Sequence, residues 1–428
     1  LRILLAHNSP YYPSHSGGDK SNRLLMEALA AEGHAVRVVA RVEHFGEPAH
    51  HALVRTLAAR GIAVDGADGR AGFLLNGVEA RILTRTAGLR AFFAAEVQAF
   101  DPDVIIASTD DPAHLMLSVA LRSARARVVY LVRATVALPF GPDSGLPSEF
   151  HTETLRQADG VVAVSEYVAQ YTRRWGAVEA IHVPISLLDP GGHPRLGRFE
   201  NRFVSMVNPC AVKGISIFLA LAERFPALEF AAVPAWGTTT ADLAALRKLR
   251  NITVLAPFDD IDDLLRQTRV MLAPSVWAEA RSRVILESMS RGVPVMASDV
   301  GGLAEAMLGM DYLLPVNPVT RYRPMVDELM VPAVEIPPQD VQPWATVLDR
   351  LLTDRAHYEN LSARARDAAL QYASSLTAGP FEEYLARVVA APRRRSAILP
   401  QRGRISLSDE RRRLLALRVK RANIHVGP

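Results

Sequence analysis

The sequence predicts an α/β protein built from two parallel-sheet domains that face each other across a cleft, and three observations carry that prediction. Short apolar runs alternate with helical patterns through both halves of the chain. A stretch rich in Gly and Pro, Leu187 to Arg198, separates the halves. The segment Val270 to Ala306 then lays out strand, loop, helix and strand, with Glu279 just before the helix and Glu287 inside it.

The elements follow in order. Arg2 to Ala6 is a strand, Asp19 is placed to cap a helix carrying Leu24, Leu25, Ala28 and Leu29, Gly33 ends that helix, and His34 to Ala40 is the next strand. Further strands are expected at Val104 to Ser108, Val128 to Val132, Val161 to Val164 and Ile181 to Pro184, with a helix from Ser165 to Trp175. In the second half, strands are expected at Phe203 to Val207, Leu228 to Val233, Ile252 to Ala256, Met271 to Pro274 and Val293 to Ala297. Helices fall at Ile215 to Arg224, Ile261 to Thr268 and Ser282 to Ser290, the last stopped by Gly292-Val-Pro294. Beyond Ala345 the pattern turns helical, with a helix near Phe381 to Val389 before Pro392.

Composition bounds the class. A chain of 428 residues with 49% hydrophobic content is long enough for two cores. Its single cysteine, Cys210, excludes an internal disulfide framework, fits a reducing compartment and reads as a packed residue. No apolar run reaches the roughly 18 residues of a spanning helix, and Ile3 to Ala6 is too short for a signal-peptide core, so a cytoplasmic protein is expected. The net charge of +4 is concentrated in a tail: residues 393–421 hold eleven Arg or Lys against Asp409 and Glu410, which leaves residues 1–392 at about −5. Lysine occurs only at Lys20, Lys213, Lys248 and Lys420, and the bias to arginine fits a GC-rich bacterial genome.

The chemistry concentrates around the two glutamates. A helix that opens at the carboxyl edge of a parallel strand offers free N–H groups and the positive end of its dipole to a phosphate, and carboxylates beside it accept hydrogen bonds from hydroxyls. This pairing suits a sugar nucleotide.

Four motifs then carry a resemblance to a known family. They are Ser16-Gly17-Gly18 with Gly33-His-Ala-Val36; Val207-Asn-Pro-Cys-Ala-Val-Lys-Gly214; Glu279-x7-Glu287 between Pro274-Ser275 and Gly292-Val-Pro-Val295; and Gly301-Gly302-Leu-Ala-Glu305. Over roughly residues 1 to 390 the chain resembles the GT-B glycosyltransferases, most closely glycosyltransferase family 4. The resemblance implies two Rossmann-like α/β domains facing across a cleft, with C-terminal helices and a basic tail. The expected divisions are an acceptor domain at 1–186, a donor domain at 187–372, a helix returning to the first domain at 373–392, and the tail at 393–428.

What the resemblance implies for single residues is specific. Lys213 matches the lysine that neutralises the donor diphosphate, Glu279 the carboxylate that binds the transferred sugar, and Glu287 the one that binds the ribose. Gly17 and Gly18 match a loop that lets backbone approach the phosphates. Lys213 and Glu279 are therefore the catalytic candidates. The donor set comprises Gly17, Gly18, Asn208, Lys213, Glu279, Arg281, Ser282, Arg283 and Glu287, and His7, His15 and Arg133 are assigned to the acceptor side. The chain departs from the family pattern at three places: Asn208 stands where an arginine is usual, Ala280-Arg281-Ser282-Arg283 replaces a glycine-rich turn, and Arg133 follows the strand after which a histidine is usual. Arg281 or Arg283 is a candidate replacement for the missing guanidinium.

The activity implied is retaining transfer of a sugar from a nucleotide diphosphate sugar to an acceptor hydroxyl, independent of metal and cofactor. Two alternatives are a sugar-nucleotide 2-epimerase and a non-catalytic GT-B binding protein. Acceptor contacts are expected from Ser9 to Lys20, Glu43 to Gly72 and Ala134 to His151, whose residues encode no readable ligand. Gly18-Asp-Lys20-Ser21 lacks the first glycine of a P-loop and is interrupted by Asp, which speaks against triphosphate hydrolysis. Glycosidase pairs flank the scissile bond and usually come from separate elements, unlike Glu279 and Glu287. The tail has no aromatic interleaving, so nucleic acid is not an expected partner, whereas Ser408 to Lys420 offers a basic, partly apolar helix for peripheral membrane contact.

Overall fold

The computed structural model describes residues 1–392 apart from 15, 43–46, 67–68, 86, 124, 190, 258–259 and 330. His15 and the basic tail lie outside the described residues.

The first half forms one eight-stranded sheet. Its strands are β1 (Arg2–Ala6), β2 (Ala35–Arg41), β3 (Arg70–Leu75), β4 (Val78–Leu83), β5 (Val104–Ser108), β6 (Arg127–Val132), β7 (Gly160–Ala163) and β8 (Ile181–His182). They lie in the order β3-β4-β2-β1-β5-β6-β7-β8, and every pair is parallel except the β3–β4 arm. Helices α1 (Gly17–Ala31), α2 (Glu47–Ala58), α3 (Leu89–Phe100), α4 (Leu117–Ala120), α5 (Glu149–Leu155) and α6 (Glu166–Gly176) form the connections. A sheet covered on both faces needs apolar residues on both, which is why Ile3, Leu4 and Leu5, or Val104, Ile105 and Ile106, are buried without alternation.

The second half forms a six-stranded, wholly parallel sheet. It contains β9 (Phe203–Val207), β10 (Glu229–Val233), β11 (Ile252–Val254), β12 (Thr268–Ala273), β13 (Val295–Ser298) and β14 (Leu313–Leu314), in the order β11-β10-β9-β12-β13-β14. Counted within this half, that is the doubly wound Rossmann order 3-2-1-4-5-6. Its connecting helices are α7 (Ile215–Arg224), α8 (Thr240–Lys248), α9 (Ile261–Leu265), α10 (Arg283–Ser290) and α11 (Leu303–Ala306). A hairpin, β15 (Tyr322–Val326) with β16 (Pro332–Val334), precedes α12 (Gln342–Thr353), α13 (Arg355–Ser375) and α14 (Gly379–Ala390). One face of the sheet buries Phe218 and Leu221 of α7 with Trp344 and Leu348 of α12; the other buries Ile285 and Met289 of α10 with Ala365 and Ala369 of α13. Helix α14 packs against β6, and its Glu382 pairs with His34 at 3.0 Å, so the last described helix lies on the first sheet.

In both sheets the chain reverses direction beside its first strand, between β1 and β5 and between β9 and β12. At such a switch point adjacent loops diverge at the carboxyl edge and leave a crevice. The crevice loops are His7–Ser16 and Thr109–Met116 in the first half, and Asn208–Gly214 and Pro274–Ser282 in the second.

The structure corrects one capping expectation. Ser16, not Asp19, caps α1: its Oγ accepts from the Asp19 N–H at 3.1 Å. Asp19 stands too far into the first turn to serve as cap, and its carboxylate is used elsewhere.

Candidate functional site

The carboxyl edges of the two sheets meet. Thr135 Oγ1 donates to the Ala278 carbonyl at 3.2 Å, Ser165 Oγ to the Ala280 carbonyl at 2.7 Å, and Arg283 to the Leu187 carbonyl at 2.5 Å. Glu305, from α11, accepts the Glu166 and Tyr167 N–H groups at 2.9 and 2.6 Å, so a carboxylate of the second half completes the N-terminus of α6 in the first.

At the second switch point the loop after β9 carries Lys213 and the loop after β12 carries Glu279, and the two side chains form an ion pair. Ser275 Oγ donates to the same oxygen, Glu279 Oε1, at 2.6 Å, and the Lys213 ammonium lies 5.4 Å from the centre of the Trp277 ring. Glu279 is only 7% exposed. Burial alone pushes its carboxyl up, but the charge and hydrogen bond of Lys213 with that of Ser275 outweigh burial and hold it below its ordinary range.

Glycines make this arrangement possible. Gly214 has φ +82°, and a Cβ there would stand 1.9 Å from the Pro274 carbonyl oxygen, so Lys213 is presented by backbone pressed against the end of β12. Gly301 and Gly302 pack under the other loop: a Cβ at Gly301 would lie 2.5 Å from the Glu279 carbonyl oxygen, which itself accepts the Gly302 N–H at 2.7 Å. The Gly-Gly motif is thus a floor for Glu279. We expect Gly214→Ala to destabilise the fold by about 1–3 kcal/mol or more, from positive φ and backbone collision together. Denaturant unfolding checks this; a loss of under ~0.5 kcal/mol would contradict the geometry.

The second glutamate forms its own cluster. Arg283 and Glu287, at 9% and 7% exposure, pair at 3.0 Å one helical turn apart. Lys20, from the first turn of α1, reaches across: its Nζ is 2.6 Å from Asp189 and 4.0 Å from Glu287 Oε1. Gly17 lies against Arg283, a Cβ there falling 3.3 Å from its Cδ, while Gly18 has more room, with Ser16 Oγ at 3.6 Å. Ser282 is the N-cap of α10 and makes no side-chain cap bond.

The remaining expected residues are dispersed. Arg281 does not join the Lys213–Glu279 pair; its guanidinium stacks 4.5 Å from the centre of the Tyr372 ring of α13. Of the two candidate replacements for the missing arginine, Arg283 alone stands beside a carboxylate of the cleft. Asn208 adopts φ +57° and is buried; its Oδ1 accepts the Gly237 N–H at 2.9 Å, tying the loops after β9 and β10.

His7 requires a correction. It was expected on the acceptor side, but it is 0% exposed and presents no atom to a ligand. Its Nδ1 is 2.9 Å from Asp110 and its Nε2 3.3 Å from Asp19, so it bolts the loop after β1 to the loop after β5. Burial works against its charge, yet bonding and attraction to Asp110 and Asp19 prevail and push the imidazolium up to about 10; both carboxyls are lowered in turn. Arg133, at the end of β6, does face the cleft, near Asp110, Asp19 and Arg283. Sequence reasoning passed over Lys20, Ser275 and Asp110. Lys20 had appeared only in a failed P-loop match, and Ser275 had a signal as the polar residue ending a buried strand.

Cys210 caps the turn carrying Lys213 and packs with Val212 and Trp277. Burial pushes its thiol up to about 11. Among the described residues no group of three or more His, Cys, Asp or Glu is placed to hold a metal ion, and no helix is long and apolar enough to cross a membrane.

Two parallel Rossmann-like sheets that meet at their carboxyl edges, with charged loops on both walls, define the GT-B architecture. Residues 16–186 match the family model for the glycosyl transferase 4-like domain and residues 203–354 that for glycosyl transferases group 1. These matches span most of the chain, which belongs to the GT-B glycosyltransferases and resembles family 4.

Solved structures agree in fold. Sucrose-phosphate synthase from Thermosynechococcus elongatus is 17% identical with a TM-score of 0.63, covering 91% of this chain and 100% of that one. S. aureus TarM, in complex with UDP among other ligands, is 8% identical with a TM-score of 0.64 at coverages of 91% and 100%. Anabaena HepE in complex with UDP-glucose is 15% identical with a TM-score of 0.61 at 90% and 99%. An uncharacterized 42.6 kDa protein of the Klebsiella pneumoniae cps region is 28% identical over 93 residues, and the match spans 22% of this chain and 25% of that protein.

Proposed function

We propose that this glycosyltransferase moves a hexose from a nucleoside diphosphate donor to an acceptor hydroxyl with retention of configuration. The observation that carries the reading is the Lys213–Glu279 pair at the switch point of the second sheet, beneath the loops of the first. UDP-glucose in the HepE structure and UDP in that of TarM make UDP-hexoses the first donors to test.

In this reading the diphosphate takes the Lys213 ammonium as counter-charge, and Glu279, released from part of that pairing, accepts hydroxyls of the sugar. Glu287, oriented by Arg283, accepts from the ribose. The bond from the anomeric carbon to the diphosphate oxygen breaks while the acceptor oxygen bonds the same face of that carbon, and the acceptor proton passes to the leaving diphosphate. No protein base is needed. The side chains hold the partners in register and stabilise charge on the leaving group without a metal ion.

The test is calorimetry against nucleoside diphosphates and their sugars, followed by an acceptor screen read by mass spectrometry. Transfer or donor hydrolysis supports the reading, free epimer from donor alone favours the epimerase, and binding without turnover favours a non-catalytic protein. Within that experiment, Glu287→Ala should weaken the bare nucleoside diphosphate by about 1.5–3 kcal/mol, the scale of a hydrogen bond to a charged group. Glu279→Ala should leave that affinity nearly unchanged and damage transfer. Equal losses would dismiss the division of roles.

A further inference from the structure

Arg133 is the cleft residue whose bonding the reading above does not use. Its backbone N–H donates to Thr109 Oγ1 at 3.0 Å, which fixes it at the carboxyl end of β6 beside the first switch point. Two residues later Thr135 touches the carbonyl of Ala278, the neighbour of Glu279. The base of this arginine is therefore anchored to both walls, close to where the transferred sugar is expected.

Its guanidinium is incompletely bonded. Nε and Nη2 are shut off from solvent and take no hydrogen-bond partner. These two N–H groups form one edge of the planar fork, the edge that matches the two oxygens of a carboxylate. Nearby acceptors are already engaged. Asp110 receives His7 Nδ1, Ser108 Oγ and the Asn8 N–H, and Asp19 receives Ser9 Oγ and lies against His7 Nε2. Burial pulls the guanidinium down to about 10, with Arg283 adding repulsion and Asp110 and Asp19 opposing the fall, so it remains charged at neutral pH. A charged fork with one edge shielded and unpaired is costly to keep unless a ligand completes it. An anion placed there would also screen Arg133 from Arg283.

We propose that the transferred sugar carries a carboxylate, a hexuronate, and that Arg133 grips it through Nε and Nη2. This rests on the nucleotide-sugar reading of the same cleft. The diphosphate is the other anion of such a donor, but Lys213 and the N-terminus of α10 already answer to it from the second sheet, whereas Arg133 approaches from the first. A neutral hexose would leave the fork unpaired. A hexuronate satisfies both donors at once.

The test uses the full chain and titration calorimetry. UDP, ADP and GDP identify the nucleotide taken, and the matching hexose and hexuronate follow, UDP-glucose and UDP-glucuronate in the case of UDP. The hexuronate should bind about 10- to 100-fold more tightly than the hexose. Arg133→Gln should abolish that preference while leaving the bare nucleoside diphosphate within about twofold, and Arg133→Lys, which keeps the charge but not the fork, should restore only part of it. Thermal melts of both variants confirm the fold. Equal affinity of the wild type for both donors overturns the inference, as it would if the fork served an acceptor. Loss of bare nucleoside diphosphate binding in Arg133→Gln also overturns it, because the fork would then hold the diphosphate. Failure to bind any nucleotide overturns the donor reading and this inference with it.

Discussion

Turnover of Lys213→Ala is expected to fall by ~100- to 1000-fold, the usual consequence of removing one preorganised donor aimed at developing negative charge. The loss should appear in kcat more than in donor affinity, since charge on the leaving diphosphate grows as the sugar departs. The geometry adds a control. Removing Lys213 also strips Glu279 of its cation in a buried place, so part of any loss reflects a carboxyl driven upward toward protonation. Lys213→Arg keeps a cation there and should recover stability before activity, because a planar fork does not reproduce the compact ammonium. Steady-state kinetics with the donor found by calorimetry decide the matter: activity within about threefold of wild type would remove Lys213 from the machinery.

A second large effect is expected far from any ligand atom. His7→Ala leaves Asp19 and Asp110 buried without the cation they share, and breaking such a cluster typically costs ~3–5 kcal/mol. The pH dependence gives a signature. The imidazolium is raised from an ordinary value near 6.5 to about 10, so its contribution is complete below 6.5 and drains away as pH climbs toward 10. Asp19 and Asp110 are lowered from 3.8, so theirs is complete above that value and is lost on acidification below it. The cluster is therefore at full strength from about pH 4 to 6.5. Between pH 6.5 and 9.5 the wild type should lose stability that His7→Gln does not lose. Urea unfolding across that range tests it, and parallel pH profiles would show that His7 is uncharged in the folded protein.

The alternation of apolar runs with helical patterns was enough to find β9 and α7 to the residue, because an apolar run between polar turns has one stable use in a covered parallel sheet. Elsewhere the ends moved. The expected strand from Met271 begins at Thr268, and the one expected from Val293 begins at Val295, after Pro294. The antiparallel β3–β4 arm is missing from the sequence expectations although Asn76-Gly77 is a two-residue hairpin signal, and both residues take positive φ in the structure.

The site divides in the same way. Lys213, Glu279 and Glu287 are legible because each belongs to one local motif whose loop positions it. The roles of His7, Lys20 and Arg133 are not. Asp110 lies more than a hundred residues from His7, and Glu287 further still from Lys20, so nothing local tells a reader that strand order and facing edges bring them together. Asp19 shows the limit within a single turn: a residue type suited to capping was displaced by Ser16 because a distant histidine claimed its carboxylate.

Cys210 gives the molecule an experimental convenience. It is the only thiol in the sequence, it is enclosed beside Val212 and Trp277, and its proton is held to about 11. Thiolate is the species that alkylating reagents capture, so at neutral pH the native chain offers them almost nothing. Cysteines introduced one per wall, at exposed positions on either sheet, would then be the only sites to take a spin label or fluorophore. Changes in the width of the cleft become a spectroscopic distance, read on a protein that needs no background mutation.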